Sequence, residues 1–278
     1  MQQQNLKTWF KSGTPWVWMN AGAVTIAVIM TLGLLAVIAT RGLAHFWPAD
    51  VVVADYRIPG EAPRAVAGEI VEREEVPRAR LAASGLPVAA EGGEFMTREL
   101  LKVGNREVYG ADFRWVVGEW LSNERTPREL VVLERREWGN YYGFLVNVKE
   151  EGRLVAEGDA AWAELQRRLQ RVDALHAEIQ DVEKHRIGRI NHGLERLRLQ
   201  TRKLELEGRL DAAAQAELAA EKARWDAEYQ RLEARLGELY QAFNRDSVRM
   251  RTVDGQERDI SLGKVVRAFQ PNAMSTLD

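Results

Sequence analysis

From Val17 to Ala39 the chain runs 23 residues without a charge, VWMNAGAVTIAVIMTLGLLAVIA. At about 1.5 Å per residue a helix over this stretch covers roughly 34 Å, enough for the hydrocarbon core of a bilayer with some tilt. Trp16 and Trp18 stand at one end and Phe46 and Trp47 just past the other, where interfacial aromatics belong. The apolar core of a cleavable signal is about 7–15 residues and ends in a small-residue site. This one is longer and no A-x-A site follows, so it reads as an uncleaved anchor. Lys7 and Lys11 precede it with no acidic residue, against Arg41, Asp50 and Asp55 behind it. That bias places residues 1–15 in the cytoplasm, 16–40 across an inner membrane and the rest outside the cytoplasm, in the periplasm. Ala21, Gly22, Ala23, Ala27, Gly33 and Ala36 are small enough for another helix to approach closely.

Beyond the span, 50–158 reads as β-rich. VVVADYRI (Val51–Ile58) is β-branched and partly alternating. AVAGEIVERE suggests a further strand within Pro63–Gly93, a stretch otherwise expected to be loop. Gly139-Asn140 divides Leu130–Trp138 from Tyr141–Val148 as a hairpin turn. Gly104-Asn105, between LLKV and REVYG, gives a second hairpin signal. Trp115, Trp120 and Trp138 are expected to fill the core.

The texture changes at Asp159. Apolar residues recur at steps of three and four from Trp162 through Leu165, Leu169, Val172, Leu175, Ile179 and Val182 to Ile187, Ile190, Leu194, Leu197 and Leu204. One irregular step separates Val182 from Ile187. Gly208 is placed as a C-cap and Asp211 as an N-cap, and a second stripe runs from Leu218 to Phe243. The segment 159–246 is therefore a long antiparallel coiled-coil hairpin. Strand texture returns at Val248–Val253, Asp254-Gly255 and Gln256–Leu262. Since two strands alone are marginal, 247–263 is expected to complete the β domain. The fold class is thus a membrane-anchored α+β chain with a hairpin inserted into its β domain, and 264–278 as a connector.

Chemistry is sparse. There are no cysteines, and a net charge of -2 gives no basic field for nucleic acid. Phosphate-loop, nucleophile-elbow, zinc-protease and dinucleotide fingerprints are absent. Of the histidines, His45 lies at the membrane boundary and His176, His185 and His192 on the hairpin; His185 and His192, seven apart, lack a third ligand. Glu164/Arg168 and Glu205/Arg209 have i,i+4 spacing and read as a solvated face. No catalytic, cofactor-binding or metal residue is assigned, no cofactor is implied, and the chain reads as non-enzymatic.

The opening FKSGTPWVWMNAGAVTIAVIMTLGLLAVIATRGLAHFWP resembles the start of the phosphate ABC transporter permease, PstA-type, in its long proteobacterial form. VEREEVPRARLAASGLP, EFMTRELLKVGNREVYGADFRWV and ISLGKVVRAFQPNAM are similar to that family's extended N-terminal region. The resemblance implies a phosphate importer subunit working with a second permease, a cytoplasmic ATPase and a periplasmic phosphate-binding protein. Such a permease continues into further spans, so this chain is expected to be its N-terminal portion. The phosphate-pathway residues are expected in that missing membrane domain. The alternative is a periplasmic adaptor of the membrane-fusion type. VNVKEEGRLVAEGD before the hairpin is similar to a lipoyl-like half-motif, but TVDGQERDISL after it lacks the matching half.

Overall fold

The computed structural model describes residues 9, 11–46, 48–89 and 92–274, and divides into two compact units, Met1–Ala49 and Asp50–Asp278. The first unit is the helix α1 (Thr14–Phe46). Its stretch Thr14–Gly42 is long and apolar enough to cross a membrane and is unburied. The hydroxyls of Thr25, Thr31 and Thr40 donate to the carbonyls of Ala21, Ala27 and Val37, so these side chains carry no unmet donor along the apolar surface. Trp47, part of the expected aromatic belt, lies outside the described residues.

The second unit holds two antiparallel sheets and a helix hairpin. The first sheet is β1 (Val51–Tyr56), β2 (Arg64–Pro77), β3 (Phe95–Lys102), β4 (Phe113–Val117) and β5 (Leu121–Arg125), in the order β4-β3-β2-β1-β5. The second is β6 (Leu130–Arg135), β7 (Tyr141–Glu150), β9 (Asp246–Arg251), β10 (Glu257–Ser261) and β11 (Val265–Phe269), in the order β10-β9-β7-β6-β11, with β8 (Arg153–Glu157) also on β7.

These two orders are one plan used twice. In β1/β2, Val53 faces Ala67 and Val51 faces Glu69; in β6/β7, Val132 faces Tyr142 and Leu130 faces Phe144. Glu69 then faces Lys102 and Phe144 faces Arg251, and both pairings slip by one residue at the matching place, between Ile70 and Glu72 and between Leu145 and Asn147. The five pairs from Lys102–Phe113 to Arg98–Val117 correspond to Arg251–Glu257 through Ser247–Ser261. A 3₁₀ turn precedes the last strand of each repeat, at Gly118–Trp120 and Leu262–Lys264. Matching glycines make the close crossing possible. A Cβ on Gly68 would lie 2.8 Å from the Lys102 carbonyl oxygen, and one on Gly143 would lie 2.6 Å from that of Arg251.

The connection between second and third strands distinguishes the repeats. In the first it holds the short helix α2 (Arg78–Ala83), within a stretch the sequence suggested as loop. In the second it holds β8 and the hairpin: α4 (Asp159–Gln180), a π turn (Asp181–Arg186), α5 (Ile187–Leu206) and α6 (Ala212–Asn244). Gly208 sits at φ +65° and the Asp211 carboxylate accepts the Ala214 N–H at 2.8 Å, so both expected caps form. The irregular five-residue step from Val182 to Ile187 is the π turn, whose wider repeat keeps both residues on the packed face. Leu165, Leu169 and Val172 of α4 share one core with Val131, Val148, Met250 and Val265 of the second sheet, Phe243 at the end of α6 lies against Gly263, and beyond them the two arms of the hairpin pack on each other.

Several expectations are corrected. The segment 247–263 does pair with the β region, through β9 on β7, but as part of a second sheet. Residues 265–269 of the supposed connector are its edge strand β11, while 275–278 lie outside the described residues. Gly104-Asn105 does fall in the connection of a hairpin, β3 with β4, but REVY is not its second strand: it coils into a one-turn helix, α3 (Arg106–Tyr109), before β4. Trp120 packs partly into the first repeat, but Trp115 and Trp138 are exposed. Trp115 lies on the outer face, at the position Asp259 takes in the second repeat, and Trp138 has φ +71° in the β6–β7 turn.

Candidate functional site

Two asparagines clamp the repeats together. Asn105, in the left-handed region and buried, presents its amide to Tyr142: Nδ2 donates to the Tyr142 carbonyl at 2.8 Å and Oδ1 accepts its N–H at 2.6 Å. Asn272 does the same to Val51, at 2.9 Å each way, and also donates to the Pro127 carbonyl. Between these clamps Val51, Val53 and Ala67 pack on Leu130, Val132 and Tyr142, and the Tyr142 hydroxyl donates to Glu69 at 2.6 Å.

The base of the hairpin is fixed by charge. Asp246, wholly buried, accepts from Arg168 at 2.6 Å and also from Arg171. Arg168 bonds Glu164 at 2.6 Å and Glu150 at 2.8 Å, and Arg245 reaches Glu150 at 3.0 Å. Hydrogen bonds from Arg167 and Arg168 hold the Glu164 carboxyl below the usual carboxylate range. Glu164 and Arg168 therefore anchor the helix rather than merely coat it. The other expected pair does not form: with the helix ending at Leu206, Arg209 bonds Glu207 and Glu205 bonds Arg202.

At the far end the hairpin opens. The alanine-rich start of α6 leaves a cleft of about 810 Å³ between Leu194, Leu197, Leu210, Leu218 and Ala219. Nearer the base, Trp225 of α6 lies against Gly193 of α5, where a Cβ would come within 2.6 Å of its ring.

A third feature is the mouth of each repeat. In the second repeat Arg135 grips the Glu107 carboxylate with both terminal guanidinium nitrogens, one bond being 2.9 Å, and its Nε donates to the Gly139 carbonyl at 2.9 Å. Burial pushes the Glu107 carboxyl up, but the Arg135 bonds and charge outweigh it and hold it low. Burial and the Glu107 charge push the Tyr141 phenol beside them up to about 12.

The histidines form no centre. His185 and His192 are exposed, His185 meeting Asp181 at 3.2 Å, and His176 stacks on Phe243. Nothing is described of the His45 side chain. Among the described residues no group of three or more His, Cys, Asp or Glu is placed to hold a metal. The sequence reading missed Asn105, Asn272, Asp246 and the Arg135–Glu107 pair, whose partners are 28 to 221 residues away. No family model matches the chain, and no curated protein or solved structure matches it.

Proposed function

We propose that this chain is the N-terminal anchor and periplasmic region of a phosphate ABC importer permease, taking part in ATP-driven uptake with a second permease, an ATPase and a periplasmic phosphate-binding protein. One observation carries the reading. The stretches that resemble the family contain the residues joining the repeats: Asn105 and Glu107 fall in EFMTRELLKVGNREVYGADFRWV, and Asn272 in ISLGKVVRAFQPNAM. A likeness concentrated on such residues is more specific than shared apolar periodicity. In this reading α1 is the first helix of an importer bundle, N-terminus in the cytoplasm, its small residues meeting neighbouring spans. The hairpin, rigid at its base and open at its tip, is a contact arm for another component of the complex.

The adaptor reading is less well supported. The strands flanking the hairpin belong to a repeated curled sheet whose first copy carries no hairpin, so no pair of lipoyl-like halves is needed to explain them.

Uptake of radiolabelled phosphate at low external phosphate tests the proposal. Cells in which the gene is disrupted are expected to lose high-affinity uptake and regain it on complementation. Undiminished uptake together with a drug-export defect would replace the importer by the adaptor.

A further inference from the structure

Every strand pairing of the first repeat has its counterpart in the second, where β8 on β7 is an addition. At the mouth of the second repeat, Arg135 of β6 lies over the Tyr141 ring, 5.6 Å from its centroid, and Arg258 stands opposite Met250 on β10. At the mouth of the first, Arg64 of β2 lies over the Tyr56 ring at 5.4 Å, and Arg114 stands opposite Leu101 on β4. Arg114 and Arg258 occupy the same register position. Arginine and tyrosine have exchanged strands between the repeats, but each mouth has two arginines beside a buried tyrosine ring.

What differs is the occupant. The second mouth is filled by Glu107, which the one-turn helix α3 of the first repeat delivers onto Arg135. The charges around it balance, with Arg135, Arg258 and Lys264 set against Glu107, Glu137 and Asp259. The first mouth opens as a cavity of about 320 Å³ floored by Val66 and Val103. Neither Arg64 nor Arg114 has an ion pair or side-chain hydrogen bond among the described residues. Its one carboxylate, Asp254, already accepts from Tyr109 at 3.1 Å, Gln256 at 2.9 Å and Thr252. In the cavity lining two arginines thus face a single carboxylate, Glu61 lying outside it near the Tyr56 ring.

The geometry points to the first mouth as a socket for a carboxylate side chain of a partner polypeptide, received on Arg64 and Arg114 as Glu107 is received on Arg135. The molecule supplies the precedent for the occupant: an acidic residue on a single helical turn, backed by apolar residues that reach the valine floor. Paired guanidinium–carboxylate bonds give such a contact direction as well as strength. The socket is independent of the transport reading and holds for any partner presenting this chemistry.

The test uses the full chain in detergent and a fluorescent peptide of its own segment NREVYGAD, residues 105–112. Anisotropy should show saturable binding that weakens by at least about tenfold when the peptide's glutamate is replaced by glutamine, or when the protein carries R64Q and R114Q. The double variant should unfold close to the parent's denaturant midpoint, because among the described residues neither arginine makes an ion pair or side-chain hydrogen bond and Arg64 gives up only its place over the Tyr56 ring. Equal binding of the glutamine peptide, equal binding by R64Q/R114Q, or no binding at millimolar peptide would overturn the proposal. Displacement by inorganic phosphate at concentrations equal to the peptide would also overturn it, making the mouth a small-anion pocket instead.

Discussion

At Tyr142 the neighbouring strand β9 has already ended at Arg251, and one edge of β7 would be left open inside the interface between the repeats. Asn105 fills it with a side-chain amide, which offers a donor and an acceptor at the spacing of a peptide group. Asn105→Ala leaves both Tyr142 groups buried and unpaired, so the expected loss is about 2–4 kcal/mol in urea unfolding. Asn105→Asp, keeping only the acceptor, should fall between. An unchanged midpoint for the alanine variant would mean that water replaces the amide without penalty. Glu107 gives a pH signature at the same scale. Its carboxyl titrates lower folded than unfolded, so its contribution is complete above the unfolded value of about 4.3 and disappears as the pH falls through the folded one. The parent should therefore lose stability on acidification more steeply than Glu107→Gln, the two curves converging at low pH. Parallel curves would show that the Arg135–Glu107 pair contributes no linkage.

Among the elements, the hairpin is the one most open to manipulation, because a π turn divides its first helix. One extra residue between Val182 and Ile187 is absorbed there while both remain on the packed face. Deleting Lys184, which is exposed, should turn the five-residue step into a four-residue step and leave both stripes in phase. Stability by urea unfolding is expected to hold or rise, since the contacts disturbed nearby, His185–Asp181 and Tyr240–Glu183, are exposed. Inserting an alanine at the same place creates a six-residue step and should separate the base of the hairpin from its tip. A deletion as damaging as the insertion would show that the π turn itself is required. The hairpin was legible in the sequence because its signal is local: leucines at steps of three and four, a glycine and an aspartate at the turn, even the irregular step. The long apolar helix α1 was legible for the same reason. Asp246 was not, since an aspartate opening a strand gives no local sign that Arg168 and Arg171 lie beside it in space. Gly104-Asn105 misled because a left-handed pair can open a helix as well as close a hairpin.

For the whole molecule, the central feature is a sheet plan used twice, the second copy interrupted by the hairpin between β8 and β9. Sequence could not reveal the duplication. Equivalent positions share register rather than residue type, Trp115 matching Asp259 and Tyr56 matching Arg135, and the glycine pair Gly68/Gly143 is too common a coincidence to betray it. The arrangement sets the hairpin tip far along the chain from an N-terminal helix proposed to cross the membrane, and these regions are expected on opposite sides. The absence of cysteine makes this directly measurable, because any thiol introduced is the only one. Ser12→Cys reports the segment before the span and Ala213→Cys the tip, both positions being exposed. In spheroplasts a membrane-impermeant maleimide should label the tip thiol at once and Ser12→Cys only after lysis. Labelling of Ser12→Cys alone would invert the proposed orientation, and labelling of both before lysis would remove α1 from the membrane. Only the expected pattern combines an external hairpin with a cytoplasmic N-terminus, the arrangement that the proposed importer region requires.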